Sequence, residues 1–150
     1  MTSVSLDDFT HLTDIGSSQN SASVLLARDA GGRYLLQIRD NFPVIAAPGM
    51  LGLFGGHVER GEDLAECAVR EFREETGIVI TRAEIEPYVA FVSPSNADLV
   101  HFVFKLNRRI SPADIVLEEG AGFVFLEPSQ FANFPVLEAA KLAINWFEGE

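Results

Sequence analysis

Glu71, Glu74 and Glu75 fall within five residues of one another, inside a stretch (62–76) whose apolar residues recur at helical spacing. At 100° per residue, Leu64, Ala65, Ala68, Val69 and Phe72 make one apolar face, and the three glutamates run along one edge of it. Glu71 and Glu75 are i,i+4 neighbours and Glu71 and Glu74 are i,i+3, spacings at which like charges cost about 0.2–0.5 kcal/mol per pair. Glu74 and Glu75 also occupy the last turn, where the negative end of the helix dipole disfavours anions by about 0.3–1 kcal/mol. Arg70 and Arg73 offset only part of this. An acidic solvent face is one reading. The other is a site for a hard divalent cation, because clustered carboxylate oxygens suit Mg2+ or Mn2+ and leave positions for water and substrate phosphate. The stripe borders the face that has to pack, and function is expected where local rules are broken.

Other elements must hold that helix in place. Residues 22–28 and 33–39 are β-compatible apolar runs around Asp29-Ala30-Gly31-Gly32, which predicts a hairpin. The small polar stretch 16–23 reads as a loop, and 40–50, with two prolines and a glycine, as another. Residues 51–54 predict a short strand running into Gly55-Gly56, and Gly77 stands where a helix C-cap glycine belongs. Three more strands are expected at 84–92, 99–106 and 122–126. A terminal helix is expected after them, with Pro135 in its first turn. Several strands with a central and a terminal helix predict an α/β or α+β sandwich.

The chain has 150 residues, which fits a single domain over 1–150 with 1–20 as a leader or loop. It is 47% hydrophobic and 22% charged with a mean hydropathy of +0.16, which excludes a disordered chain, a collagen repeat and a disulfide scaffold. Cys67 is the single cysteine, so neither an internal disulfide nor a cysteine-based zinc site is available. Residues 1–14 combine neither a basic start nor a continuous apolar run, and no apolar stretch approaches the roughly 20 residues of a membrane span. A cytoplasmic protein is expected, with no membrane partner. Twenty-two acids against eleven Lys and Arg give a net charge of −11. That field repels nucleic acid polymers and free phosphates alike. Seven acids and three arginines lie between residues 56 and 78, so four of the eleven net charges sit in the segment that carries the glutamate stripe. Bound divalent cations would cancel or reverse that local sign, so binding of phosphates would depend on metal.

Residues 56–78 resemble the signature of the Nudix hydrolases: a glycine, five residues, a glutamate, then seven residues later Arg-Glu, an apolar residue, any residue, Glu-Glu, any residue, glycine and an apolar residue. Gly56, Glu62, Arg70, Glu71, Phe72, Glu74, Glu75, Gly77 and Ile78 stand at those places, and every defined position matches. The resemblance implies an α/β/α sandwich with a mixed β-sheet. It also implies hydrolysis of a nucleoside diphosphate linked to another group, with Mg2+ or Mn2+ held by Glu71, Glu74 and Glu75. Glu74 and Glu75 would share the catalytic work, and Arg70 would orient a ligand carboxylate. Gly55 and Gly56 would let the substrate approach the backbone, and Glu62 would brace the loop before the helix. A further base often lies in a loop before a late strand. Glu118 and Glu119 occupy that place, with Glu119 the better choice against a plain solvated turn.

Weaker signals surround the signature. Arg39 could point at a phosphate, or be a surface arginine; His57 could line the cleft, or be an ordinary loop histidine. Cys67, on the stripe side, reads as packing. Tyr88, Phe91 and Phe42 could stack a base, although most such aromatics are core, and Trp146 reads as packing or a dimer contact. Arg108-Arg109 reads as a solvated pair. Leu51 stands where many relatives carry Trp. The first functional expectation is a nucleoside triphosphate pyrophosphohydrolase, acting as a monomer or homodimer on a nucleotide-type small molecule. ADP-ribose or nucleotide-sugar cleavage is the alternative, because a proline at about the spacing of Pro94 marks the substrate loop of ADP-ribose pyrophosphatases. A non-catalytic nucleotide sensor is the alternative of another class, although such proteins usually carry degenerate signatures. Isomerase chemistry on a prenyl diphosphate lacks the extra Cys and Glu it would need.

Overall fold

The computed structural model of the chain describes residues 5–9, 20–40 and 48–149. Seven strands and two α-helices follow in the order β1 (Asn20–Leu26), β2 (Tyr34–Ile38), β3 (Leu51–Gly52), β4 (Phe54–His57), α1 (Leu64–Thr76), β5 (Ile85–Ser93), β6 (Asn96–Leu106), β7 (Gly122–Leu126) and α2 (Glu138–Glu148). The first sheet is mixed, in the order β4-β1-β6-β5, with β1 and β6 parallel and the other pairs antiparallel. The second sheet, β3-β2-β7, is antiparallel. Helices packed on a mixed sheet are the architecture the sequence predicts.

The period of two along a strand sorts side chains between two cores. Leu25, Phe102 and Phe104 join Phe54, Ala65, Ala68 and Phe72 in the core beneath α1. Their neighbours Leu26 and Val103 face the other way, into a core with Leu36, Leu126, Ala143 and Ile144 of α2. Tyr34 closes this second core: its hydroxyl donates to Glu148 at 2.5 Å, and the Arg28 guanidinium lies over the Phe147 ring. No helix among the described residues is long and apolar enough to cross a membrane.

Four local expectations change. The turn at 29–32 forms, with the Asp29 N–H donating to the Arg33 carbonyl, but β1 and β2 share only the Arg28–Tyr34 bridge and then diverge into different sheets. Both runs are apolar on both faces, so each strand is buried between layers rather than paired as a two-stranded ribbon. Residues 20 and 21, expected only in the loop, belong to β1 with the run that begins at 22, while 16–19 lie outside the described residues. The strand at 51–54 is split at Leu53 into β3 and β4, which serve different sheets. Pro135 precedes α2 by three residues: Leu51 donates its N–H to the Pro135 carbonyl and accepts the Leu137 N–H, which holds 135–137 extended.

Within the expected leader, Phe9 is buried and meets Phe102 and Phe104 edge-on.

Candidate active site

α1 is capped at both ends by the residues its sequence supplies. Asp63 accepts the Glu66 N–H at 2.8 Å while the Glu66 carboxylate accepts the Asp63 N–H, forming a capping box. Gly77 takes the left-handed conformation at φ +73° and donates its N–H to the Arg73 carbonyl. Phe72 meets Phe54 edge-on at 6.1 Å, a contact of about 0.5–1.5 kcal/mol that pins the helix on β4. The glutamate edge of α1 therefore lies against Gly55 and Gly56.

Those two glycines are required for different reasons. A Cβ at Gly56 would stand 2.4 Å from the carboxyl carbon of Glu71, so the missing side chain is the space in which that carboxylate sits. A Cβ at Gly55 would stand 2.2 Å from the Ser23 carbonyl oxygen, so there it is the neighbouring strand that needs the space.

Glu75 is 4% exposed. Its Oε1 accepts the Gly55 N–H and its Oε2 accepts the Gln37 side-chain amide, each at 3.0 Å. Burial pushes its carboxyl up to about 8; the nearby Glu71 and Glu119 push the same way, against the two hydrogen bonds. Burial also raises the Glu71 carboxyl, with Glu74 and Glu119 adding to the rise and Arg70 opposing it. Glu119 is exposed on the loop before β7. The Glu118 N–H donates to the Glu75 carbonyl, which fastens that loop to the end of α1.

Arg70 is the hub of the acidic stripe. Its Nε and Nη2 grip Glu62 at 2.6 and 3.0 Å, Nη1 reaches Glu71 at 2.9 Å and Glu74 at 3.1 Å, and Nη2 also donates to the His57 carbonyl. These ion pairs hold the guanidinium well above its usual range, and the same fork holds Glu62 below the usual carboxylate range.

The set is all-oxygen, mutually repelling and seated against a glycine, which is donor chemistry that fits a hard divalent cation. No group of three His, Cys, Asp or Glu side chains among the described residues closes around an ion; Arg70 bridges Glu71 and Glu74, and Gly55 and Gln37 hold Glu75.

The remaining expected residues lie around this centre. His57 ends β4 with its side chain exposed and its carbonyl on Arg70. Arg39 follows β2, its N–H donating to the Met50 carbonyl. Tyr88 and Phe91 are buried in the core under α2, which removes them as base-stacking groups, and Phe42 lies outside the described residues. Trp146 meets Phe91 edge-on. The Cys67 thiol, buried and pushed up to about 12 by desolvation, donates to backbone carbonyls of β4 and is packing. Pro94 sits in the tight turn between β5 and β6. Arg108 donates to the Val79 carbonyl and Arg109 to the Asp29 carbonyl.

Gln37 was not among the expected site residues. Its signal was available, as the single polar residue in the run Leu35, Leu36, Gln37, Ile38. A buried amide needs a partner, but nothing local shows that the partner is Glu75.

An α/β/α sandwich that lays a glutamate-edged helix against a double-glycine strand defines a class, the Nudix-type hydrolases. The NUDIX domain model matches residues 17–147, and the chain belongs to the Nudix hydrolase family. It is, accordingly, an enzyme of the pyrophosphohydrolase type. Among solved structures, it is similar to the MutT protein from Methanosarcina mazei Go1, with 25% identity over 85% of this chain and 90% of that one, at a TM-score of 0.66. A structure from a study of MutT from Aliivibrio salmonicida and Vibrio cholerae matches at 20% identity, covering 85% and 95%, with a TM-score of 0.67. An Ap4A hydrolase from C. elegans matches at 20% identity, covering 85% and 96%, with a TM-score of 0.62. No curated protein sequence matches the chain significantly.

Proposed function

We propose that the protein is a divalent-metal-dependent hydrolase of nucleoside diphosphates linked to a further group, and that its substrate is a nucleoside triphosphate, cleaved to a monophosphate and pyrophosphate. The observation that carries this reading is the seating of two carboxylates of one helix edge against the double glycine, Glu71 in the space beside Gly56 and Glu75 on the Gly55 N–H, since buried and half-buried carboxylates so close together need a cationic partner. Glu71, Glu74 and Glu75 would hold Mg2+ or Mn2+. Such an ion supplies Lewis acidity, neutralising pyrophosphate oxygens and acidifying water.

The chain's own groups do the rest. Gly55 and Gly56 make room for the strand and the carboxylates behind them, Gly56 for Glu71 and Gly55 with its N–H on Glu75, and Arg39 and His57 would meet the phosphates. Arg70 orients Glu71 and Glu74 while anchored on Glu62. Glu119, exposed on the loop that Glu118 ties to the end of α1, would accept a proton from the attacking water. No nucleic acid polymer or membrane enters this reading, and a single cytoplasmic domain, as monomer or homodimer, suffices.

A screen with Mg2+ and Mn2+ over nucleoside triphosphates, dinucleoside polyphosphates, nucleotide sugars and ADP-ribose tests it. Released pyrophosphate identifies triphosphate cleavage; phosphatase-sensitive monophosphates identify the ADP-ribose or nucleotide-sugar alternative. A triphosphate leading in kcat/KM by tenfold or more is the expected result, with EDTA abolishing both turnover and nucleotide affinity. Nucleotide affinity that survives EDTA, with no turnover under either metal, would establish the sensor reading instead.

A further inference from the structure

Gln37 comes from the next-to-last position of β2, in the second sheet, and Glu75 comes from the helix that packs on the first. Gln37 is 8% exposed and donates its side-chain Nε2–H to Glu75 Oε2 across 38 residues of chain. The other oxygen of the same carboxylate is held from the first sheet, by the Gly55 N–H. The carboxylate is thus gripped from both sheets, and rotation about its terminal bond would break a hydrogen bond on each side.

Gln37 also has a second neighbour. Gly120 passes it at φ +89°, where a Cβ would lie 2.9 Å from Nε2 and 3.3 Å from Cγ. The Ala121 N–H donates to the Ile38 carbonyl next along β2. The loop bearing Glu119 therefore rests on the amide that seats Glu75.

We propose that Gln37 is a positioning residue: it orients the Glu75 carboxylate and, through Gly120, sets the loop that carries Glu119 opposite it. The inference rests on the hydrolytic reading above. A glutamate at 37 would place a third acid against a carboxylate already repelled by Glu71 and Glu119, and an apolar side chain would leave Oε2 without its donor. Loss of a group that orients a metal ligand typically costs about 10–100-fold in metal affinity or activity.

The full-length chain carrying Gln37→Met, which keeps length and removes the donor, tests this against wild type. Mn2+ affinity is measured without nucleotide by electron paramagnetic resonance of the free ion, alongside Tm, kcat and KM on the substrate that the screen yields. The expected result is a Tm within a few degrees of wild type, Mn2+ binding weakened about tenfold or more, and kcat down about 10–100-fold with KM within threefold. Gln37→Glu should show the larger loss, and it carries the test should Gln37→Met fail to fold. Wild-type Mn2+ affinity and kcat in the folded variants would overturn the proposal, as would a loss that vanishes when the assay is run well below Tm. If wild type binds Mn2+ but turns over no nucleotide, the hydrolytic reading fails, while the Mn2+ comparison still decides the role of Gln37.

Discussion

Arg70 grips Glu62 through two parallel hydrogen bonds, Nε to Oε2 at 2.6 Å and Nη2 to Oε1 at 3.0 Å, and so ties the middle of α1 to the loop that precedes it. Both side chains are largely buried, with 19% and 12% of their surface exposed. The pair sets the helix against Gly56 and leaves Nη1 free to hold Glu71 and Glu74.

Arg70→Ala should therefore destabilise the fold by about 2 kcal/mol, because it strips charge-assisted bonds from Glu62 and leaves three carboxylates unpaired. Arg70→Lys keeps the charge but loses the fork, and should recover only part of that. Urea denaturation checks both. Because Arg70 holds Glu62 below its usual range, the stabilisation is full above about pH 4.5 and fades as the pH falls through the depressed folded value, so the gap between wild type and Glu62→Gln should shrink in acid.

Glu75→Gln should separate activity from stability. Burial, with Glu71 and Glu119, raises the Glu75 carboxyl to about 8, so its ionisation opposes folding increasingly from about pH 4.5 to 8 and to the full extent above that. In chelator at pH 8 the variant should be more stable than wild type, by on the order of 1–3 kcal/mol. With Mg2+ restored, its hydrolysis should fall by at least about 100-fold. Full Mg2+-dependent turnover by the variant on every substrate tried would sink the site assignment.

The two glycines of β4 should fail differently. Gly55→Ala drives a methyl into the Ser23 backbone and should cost about 1–3 kcal/mol, read as a lower Tm. For Gly56→Ala the nearest atoms are the movable end of the Glu71 side chain; the variant should melt within a few degrees of wild type and yet lose most of its Mn2+ affinity and kcat. Equal losses of stability in the two variants would contradict the packing described for β4.

His101, on β6 and against Phe91, is a further pH-sensitive point. Burial, with a smaller push from His57, lowers it to about 4, while an unfolded histidine titrates near 6.5. The unfolded chain takes up the proton first, so stability should fall as pH drops from 6.5 to 4, by on the order of 3 kcal/mol at most from this residue. His101→Phe should flatten that part of the profile in urea titrations between pH 4 and 7.

Much of α1 was legible along the chain. Its apolar face, the Asp63 cap, the Gly77 stop and the glutamate stripe all arise from contacts within about four residues, and a helix makes such contacts whatever surrounds it. Strands β5, β6 and β7 were legible for the same reason, since alternation is local. The partner of a strand is not local. The run at 33–39 looked like half of a hairpin, yet only packing between two layers decides that β2 leaves β1 after one bridge and joins β7 in a separate sheet. That divergence brings Gln37 to Glu75 across 38 residues and lays Gly120 over it. The sequence by itself determined which acids share a helix edge. The tertiary structure alone decided which groups hold them, because burial and long-range approach are properties of the assembled layers.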